Sequence, residues 1–262
     1  MHTGSEPILL TEIADGIATI TLNRPQARNA LSTELMSAVE AALAQVAADP
    51  AAKVVVLAAN GPAFCAGHDL KQMRSLEGRD QVAAVFSQCS RMMKAIVRLP
   101  KPVIAKVHAM ATAAGCQLVA SCDLAFAAES AQFATPGVNI GLFCSTPMVA
   151  LSRAVGRKHA MELLLLGKPV DGATAEKWGL VNRAVAAADL DAVVAEAAAA
   201  IASKSPYTLR VGKEAFYQQA EMGLDAAYDY ASEVMTTNML AKDAAEGIDA
   251  FINKRQPNWC GA

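Results

Sequence analysis

Lys53-Val-Val-Val-Leu-Ala-Ala59 runs straight into Asn60-Gly-Pro-Ala-Phe-Cys-Ala-Gly-His-Asp-Leu70, and this junction decides the fold. The first part is short, apolar and β-branched. That is the profile of a strand buried on both faces, as in a parallel sheet covered by helices. The second part is a loop punctuated by Gly61, Pro62 and Gly67. Open α/β sheets place their ligands beyond the carboxyl ends of such strands.

Upstream, Ile8–Ile13 and Gly16–Asn23 pair as a hairpin turned at Asp15-Gly16, and Asn23-Arg24-Pro25 ends the second strand. Ser32 then opens a helix to about Ala48, with Leu35, Met36, Val39 and Leu43 on one face. Downstream, a helix is expected from about Asp80 to Arg98. Pro100–Val107 reads as a second buried strand, which runs into small residues, Thr112–Leu118, opening another helix. Asp123–Ala127 is a third core strand. From Met148 onward the periodicity is almost entirely helical, and Leu190–Lys254 holds no convincing strand. The pattern is a helix-rich α/β chain.

The chain has 262 residues and no evident linker, which suggests one domain with at most a small appendage. Apolar residues make up 53%, much of it alanine, a helix former. A net charge of −2 argues against nucleic acid and against a polybasic membrane surface. No apolar run reaches the length of a membrane span. The segment Met1–Gly16 reads as neither signal nor transit peptide. Cys65, Cys89, Cys116, Cys122, Cys144 and Cys260 are scattered, as expected of reduced thiols in a cytoplasmic protein. His2, His68, His108 and His159 lack metal spacing, so no metal site and no cofactor are expected. Dinucleotide, Walker A and nucleophile-elbow motifs are absent.

What remains is a pair of strand-to-loop junctions, Ala66-Gly67-His68 and Ala113-Ala114-Gly115. The second opens a helix, where free N–H groups and the helix dipole can stabilise an oxyanion. Small side chains would let a ligand approach the backbone.

These residues resemble the crotonase (enoyl-CoA hydratase/isomerase) superfamily. Asn23-Arg24-Pro25-x-x-x-Asn29-Ala30-Leu31, Phe64–Leu70, Lys101–Ala105, Ala114–Leu118, Cys122-Asp123, Gly179–Val181 and Phe251-x-x-Lys254-Arg255 are similar to its signatures over nearly the whole chain. Phe133–Pro147 is similar to a single branch of it. The resemblance implies a ββα spiral core over residues 1–200 and a helical trimerisation region over residues 201–262, assembled as a homotrimer or a hexamer. It implies a CoA thioester ligand whose carbonyl accepts hydrogen bonds from the backbone of His68 and Ala114. The family has glycine where Ala114 stands. Arg28, Ala66, His68, Leu70, Phe251 and Lys254 are the implied CoA contacts, with Arg24 behind them; for any of the basic residues the alternative is a solvated surface charge. Asp69 and Asp123 are read as loop braces and Met92-Met93 as helix core. Cys116 and Cys144 are read as core residues or nucleophiles, and the His68 ring as a spectator or an acid–base group.

The family's two hydratase glutamates fall on Gln117 and Gly137, and its isomerase carboxylate on Ser145. No Asp or Glu occurs from Gln81 to Cys122 or from Ser130 to Met161. A carboxamide cannot exchange a proton near neutrality. Three readings follow: an enzyme running another reaction on an acyl-CoA, such as an isomerase- or hydrolase-type step; a catalytically silent thioester binder; and a hydratase with a base recruited from elsewhere.

Overall fold

The structure is a computed structural model that describes residues 6–262; the start of the N-terminal segment, His2 included, lies outside the described residues. Strands β1 (Leu9–Ala14) and β2 (Ile17–Leu22) form the expected hairpin, with Asp15 and Gly16 both at positive φ in the turn. Helix α1 (Thr33–Ala48) follows, its first turn capped by the Ser32 hydroxyl, which accepts from Leu35 N at 3.2 Å.

The chain then repeats one gesture. It lays a strand in a large sheet, a three-residue strand in a second sheet, and then helix. The first pass is β3 (Val54–Ala59), β4 (Ala63–Cys65), then α2 (Leu70–Arg74) and α3 (Gly78–Arg98). The second is β5 (Val103–Val107), β6 (Met110–Thr112) and α4 (Ala114–Ala120). The third is β7 (Leu124–Ala128), β8 (Gln132–Ala134), then α5 (Pro147–Ala154) and α6 (Arg157–Leu166). Strand β9 (Val170–Asp171), α7 (Gly172–Trp178), β10 (Arg183–Val185) and α8 (Leu190–Ala202) close the core. Helices α9 (Pro206–Gln219), α10 (Leu224–Met239) and α11 (Lys242–Ile252) end the chain.

The large sheet has the order β1-β2-β3-β5-β7-β10 and the small one β4-β6-β8-β9. All pairings are parallel except β1 with β2 and β8 with β9. Every side chain of β3 but the last is buried, as its composition predicts. The small sheet is what sequence reading misses: its strands of two or three residues are too short to show a period. β9 and β10 likewise interrupt the stretch read as almost entirely helical. Because β4 and β6 are adjacent and parallel, the two loops that leave them, toward α2 and α4, emerge side by side.

Candidate functional site

The first motif is a lock. Asn29, fully buried at φ 53°, donates through Nδ2 to Asn60 O and Ala63 O, both at 2.8 Å, and accepts from Arg24 N at 2.8 Å. Arg24 donates to Ala30 O at 2.7 Å and pairs with Asp69 at 3.3 Å, so its guanidinium is committed to the fold. Asp69 also accepts from Lys71 N and Gln72 N at the start of α2. It is a brace, as the sequence suggests. The lock carries Arg28, exposed and at φ 51°, to the Ala66 loop, where Ala66 N donates to Arg28 O at 3.0 Å.

The two donor loops pack back to back. Gly67 sits at φ +86°; a Cβ there would stand 2.9 Å from the Ala113 Cβ and 3.3 Å from Ala114 N. Ala113 itself takes φ 51°, ψ −117°, a conformation that L side chains rarely adopt, and its N–H is held by Ala134 O at 2.8 Å. Gly115 is equally constrained: a Cβ would fall 2.8 Å from the Cys65 carbonyl carbon. Leu31 N donates to Gly67 O at 2.7 Å and Asp69 N to Leu31 O at 3.2 Å, on either side of His68. Among the described residues no acceptor is found for His68 N or Ala114 N. Two free N–H groups on adjoining loops, one at a helix start, are what a thioester oxyanion requires.

The side chains around them differ in fate. Gln117 is buried, its Oε1 has no hydrogen-bond partner, and its carboxamide makes none elsewhere. The His68 ring packs edge-on to Phe86 at 5.4 Å; its Nε2 is buried and unpartnered, and burial pushes the imidazole below its ordinary pKa, toward the neutral form. Gly137 has no room: a Cβ would stand 2.8 Å from Cys144 Sγ and would overlap the Leu142 carbonyl oxygen. Ser145 is exposed and turned to Phe143 O, at 3.4 Å. Burial raises the thiols of Cys65 and Cys116 to about 12 and also raises Cys144, so all three are neutral thiols near pH 7 rather than nucleophiles.

A cleft of about 1040 Å³ opens along α4 beyond Gln117, which forms part of its wall. Sequence reading misses it because α9 supplies one side. Asp123 fixes α9 there: its Oδ2 accepts from Val103 N at 2.6 Å and Lys213 Nζ at 2.7 Å, and its Oδ1 from Tyr217 OH at 2.9 Å. α9 also brings Glu214 to the cleft, and the turn after it Glu221, carboxylates that lie outside the two acid-free segments. Arg28 adjoins the segment that carries Ala66, His68 and Leu70, the last of which is the first residue of α2. Phe251 and Lys254, exposed at the end of α11, share no hydrogen bond or ion pair with them among the described residues.

No helix of the described residues is long and apolar enough to cross a membrane, and no cluster of three or more His, Cys, Asp or Glu among them could hold a metal.

The family profile described as enoyl-CoA hydratase/isomerase matches residues 12–262. The Rattus norvegicus protein named enoyl-CoA hydratase domain-containing protein 3, mitochondrial, is 46% identical over 256 residues, spanning 97% of this chain and 85% of its own. The Homo sapiens protein of that name is 46% identical over 245 residues, spanning 94% and 81%. This is the branch that Phe133–Pro147 resembles. Among solved structures, an enoyl-CoA hydratase of Mycobacterium smegmatis superposes with a TM-score of 0.95 at 50% identity, covering 97% of this chain and 99% of that one. Human enoyl-CoA hydratase domain-containing protein 3 superposes at 0.94 with 44% identity, covering 97% and 100%. The names correct one expectation, the cytoplasmic location: the relatives from rat, mouse, frog, human and zebrafish are all mitochondrial proteins by name. Scattered thiols do not tell one reducing compartment from another.

Proposed function

The chain belongs to the enoyl-CoA hydratase/isomerase family, and from that premise we propose that it binds a fatty acyl-CoA thioester through the N–H groups of His68 and Ala114, with ordinary hydration weak or absent. The observation that carries the reading is the pair of N–H groups without acceptors on loops locked together by Gly67 and Ala113. Arg28, Ala66 and Leu70 flank the entrance on the CoA side. The test is calorimetric titration of the full chain with CoA, acetyl-CoA and butyryl-CoA. The thioesters are expected to bind more tightly than CoA; equal affinities would sink the oxyanion site.

A second reading keeps an enzyme. Oxyanion donors stabilise any enolate or tetrahedral intermediate of a thioester, and the free Gln117 carboxamide could orient a water or a substrate hydroxyl. That supports an isomerase- or hydrolase-type step rather than hydration. Turnover across a panel of acyl-CoA thioesters separates this from a silent binder. We also propose a homotrimer or hexamer. The support is the apolar surface of the last helices, where Tyr228 is 69% exposed, Met235 66% and Phe251 86%. In such an assembly Phe251 and Lys254 would meet CoA at a subunit boundary. A monomer in light scattering at micromolar concentration would remove that part.

A further inference from the structure

The cleft along α4 has a charge pattern that the thioester reading does not use. Ala114 is the first residue of α4, and Gln117 and Ala120 on the same helix, with Ser121 just past its end, form part of the cleft wall. Gln117 lies about 4.5 Å further along the axis than Ala114. The cleft wall thus begins about one helical turn from Ala114 N, within reach of the acyl carbons of a thioester held there. At about 1040 Å³ the cleft is as large as the bigger small-molecule sites. Met93, Val97, Leu99 and Val149 give it apolar flanks.

Its rim is cationic. Arg153 and Glu221 neutralise each other at 3.0 Å, and Lys213 is held by Asp123 at 2.7 Å. Lys94, Arg98 and Arg210 remain, with no acidic partner among the described residues, against the single carboxylate of Glu214. A plain hydrocarbon tail would leave this excess unused. An apolar trough whose exposed lining residues carry an excess of positive charge is complementary to a chain that ends in an anion.

We infer that the site selects acyl-CoA thioesters whose acyl chain carries a carboxylate at its far end. The inference rests on the thioester reading above and adds the substrate class. A carboxylate on an apolar chain could also arrive as a free fatty or dicarboxylic acid, so the test includes one. The full chain is titrated with hexanoyl-CoA, adipoyl-CoA and free adipate. The two thioesters differ only in the terminal carboxylate. Adipoyl-CoA is expected to bind about three- to fivefold more tightly than hexanoyl-CoA, the effect of one partly exposed ion pair. The preference should vanish in an Arg98→Gln, Arg210→Gln double variant, and free adipate should bind far more weakly than either thioester. Equal affinities, a preference for hexanoyl-CoA, a preference that survives both substitutions, or adipate binding as well as adipoyl-CoA would each overturn the inference. Failure of both thioesters to bind is a different result: it removes the thioester reading itself, and this inference with it. Both arginines are exposed, so neither substitution removes a buried contact of the fold.

Discussion

Cys144 Sγ stands where a side chain on Gly137 would begin, 2.8 Å from the Cβ that any other residue would carry. The Leu142 carbonyl oxygen crowds the same space. Leu142 N in turn donates to Gly137 O at 2.9 Å, so the 137–144 loop is tied against itself. Position 137 is therefore closed in two ways: glycine has no side chain, and the space that one would enter is filled. Gly137→Ala should destabilise the protein by about 1–3 kcal/mol through overpacking, read as a lower urea midpoint at unchanged m-value. A neutral outcome would show that the loop yields and the seat can be reopened.

Ala113 pays for the geometry of the donor loops. Its φ of 51° and ψ of −117° are disfavoured for any residue with a Cβ, at a cost of about 1–3 kcal/mol. Glycine relieves that strain but gives the unfolded chain more freedom, about 0.4–1 kcal/mol in the opposite direction. Ala113→Gly should therefore gain about 1 kcal/mol, read as a rise of about 2–4 °C in Tm. A drop in Tm would mean that the Ala113 methyl packing against Gly67 outweighs the strain.

Asp123 holds α9 to the core through Lys213 and Tyr217, and its side chain is only 18% exposed. Burial lowers the Lys213 pKa and the nearby Asp123 raises it again in part, so removing the carboxylate leaves a poorly solvated cation. Asp123→Ala should cost about 3 kcal/mol, and Tyr217→Phe about 1 kcal/mol. Chemical denaturation of both variants checks the order. If Tyr217→Phe costs as much as Asp123→Ala, the lysine is not part of the clamp.

The C-terminal segment folds back over α11 and the end of α8. Glu246 binds Arg255 with both oxygens, at 2.6 and 2.8 Å, and accepts from Asn258 N at 2.6 Å; Trp259 Nε1 donates to Ser203 O at 2.8 Å. The Arg255 hydrogen bond, helped by the Asn258 N–H, lowers the Glu246 carboxyl to about 2. A depressed folded pKa stabilises above the unfolded value and is lost as pH falls through the folded one. The strap should hold at pH 5 and loosen between about 4.5 and 2. Trp259 emission in a Trp178→Phe background should shift to the red over that window. In Glu246→Gln the shift should already be present at pH 7; its absence there would assign the acid transition to other groups.

Much of this was legible in the residues because each signal was local and strong. The hairpin at Asp15-Gly16, the capped helix from Ser32 and the apolar β3 each follow from a few neighbouring residues, and the structure has all three. The small sheet was hidden because β4, β6 and β8 have three residues each, too few for a period. The strain at Ala113 was hidden for a different reason: an alanine at positive φ breaks the rule by which such positions are read, and only packing against β8 and Gly67 imposes it. The cleft could not be found by scanning segments near the motifs, because α9 returns from almost a hundred residues further along to form its wall.

The filled seat at Gly137 bears directly on hydration. Addition of water to an enoyl thioester needs one group to activate the water and another to protonate the α-carbon. Each such group contributes about a hundred- to ten-thousand-fold. Here one position offers a carboxamide and the other a glycine against which Leu142 and Cys144 are packed. The wild-type protein should therefore hydrate crotonyl-CoA barely or not at all, as followed by loss of enoyl absorbance. Gln117→Glu should gain little alone, because paired acid–base groups act as a unit. Adding Gly137→Glu should not rescue it, since the second glutamate would be expelled or would unfold the loop; circular dichroism and thermal melting of the double variant distinguish those fates. The carboxylate most able to upset this account is Glu214, which lies on the cleft wall without a hydrogen-bonded partner among the described residues. Robust wild-type turnover that is abolished in Glu214→Gln would identify it as a recruited base and overturn the prediction.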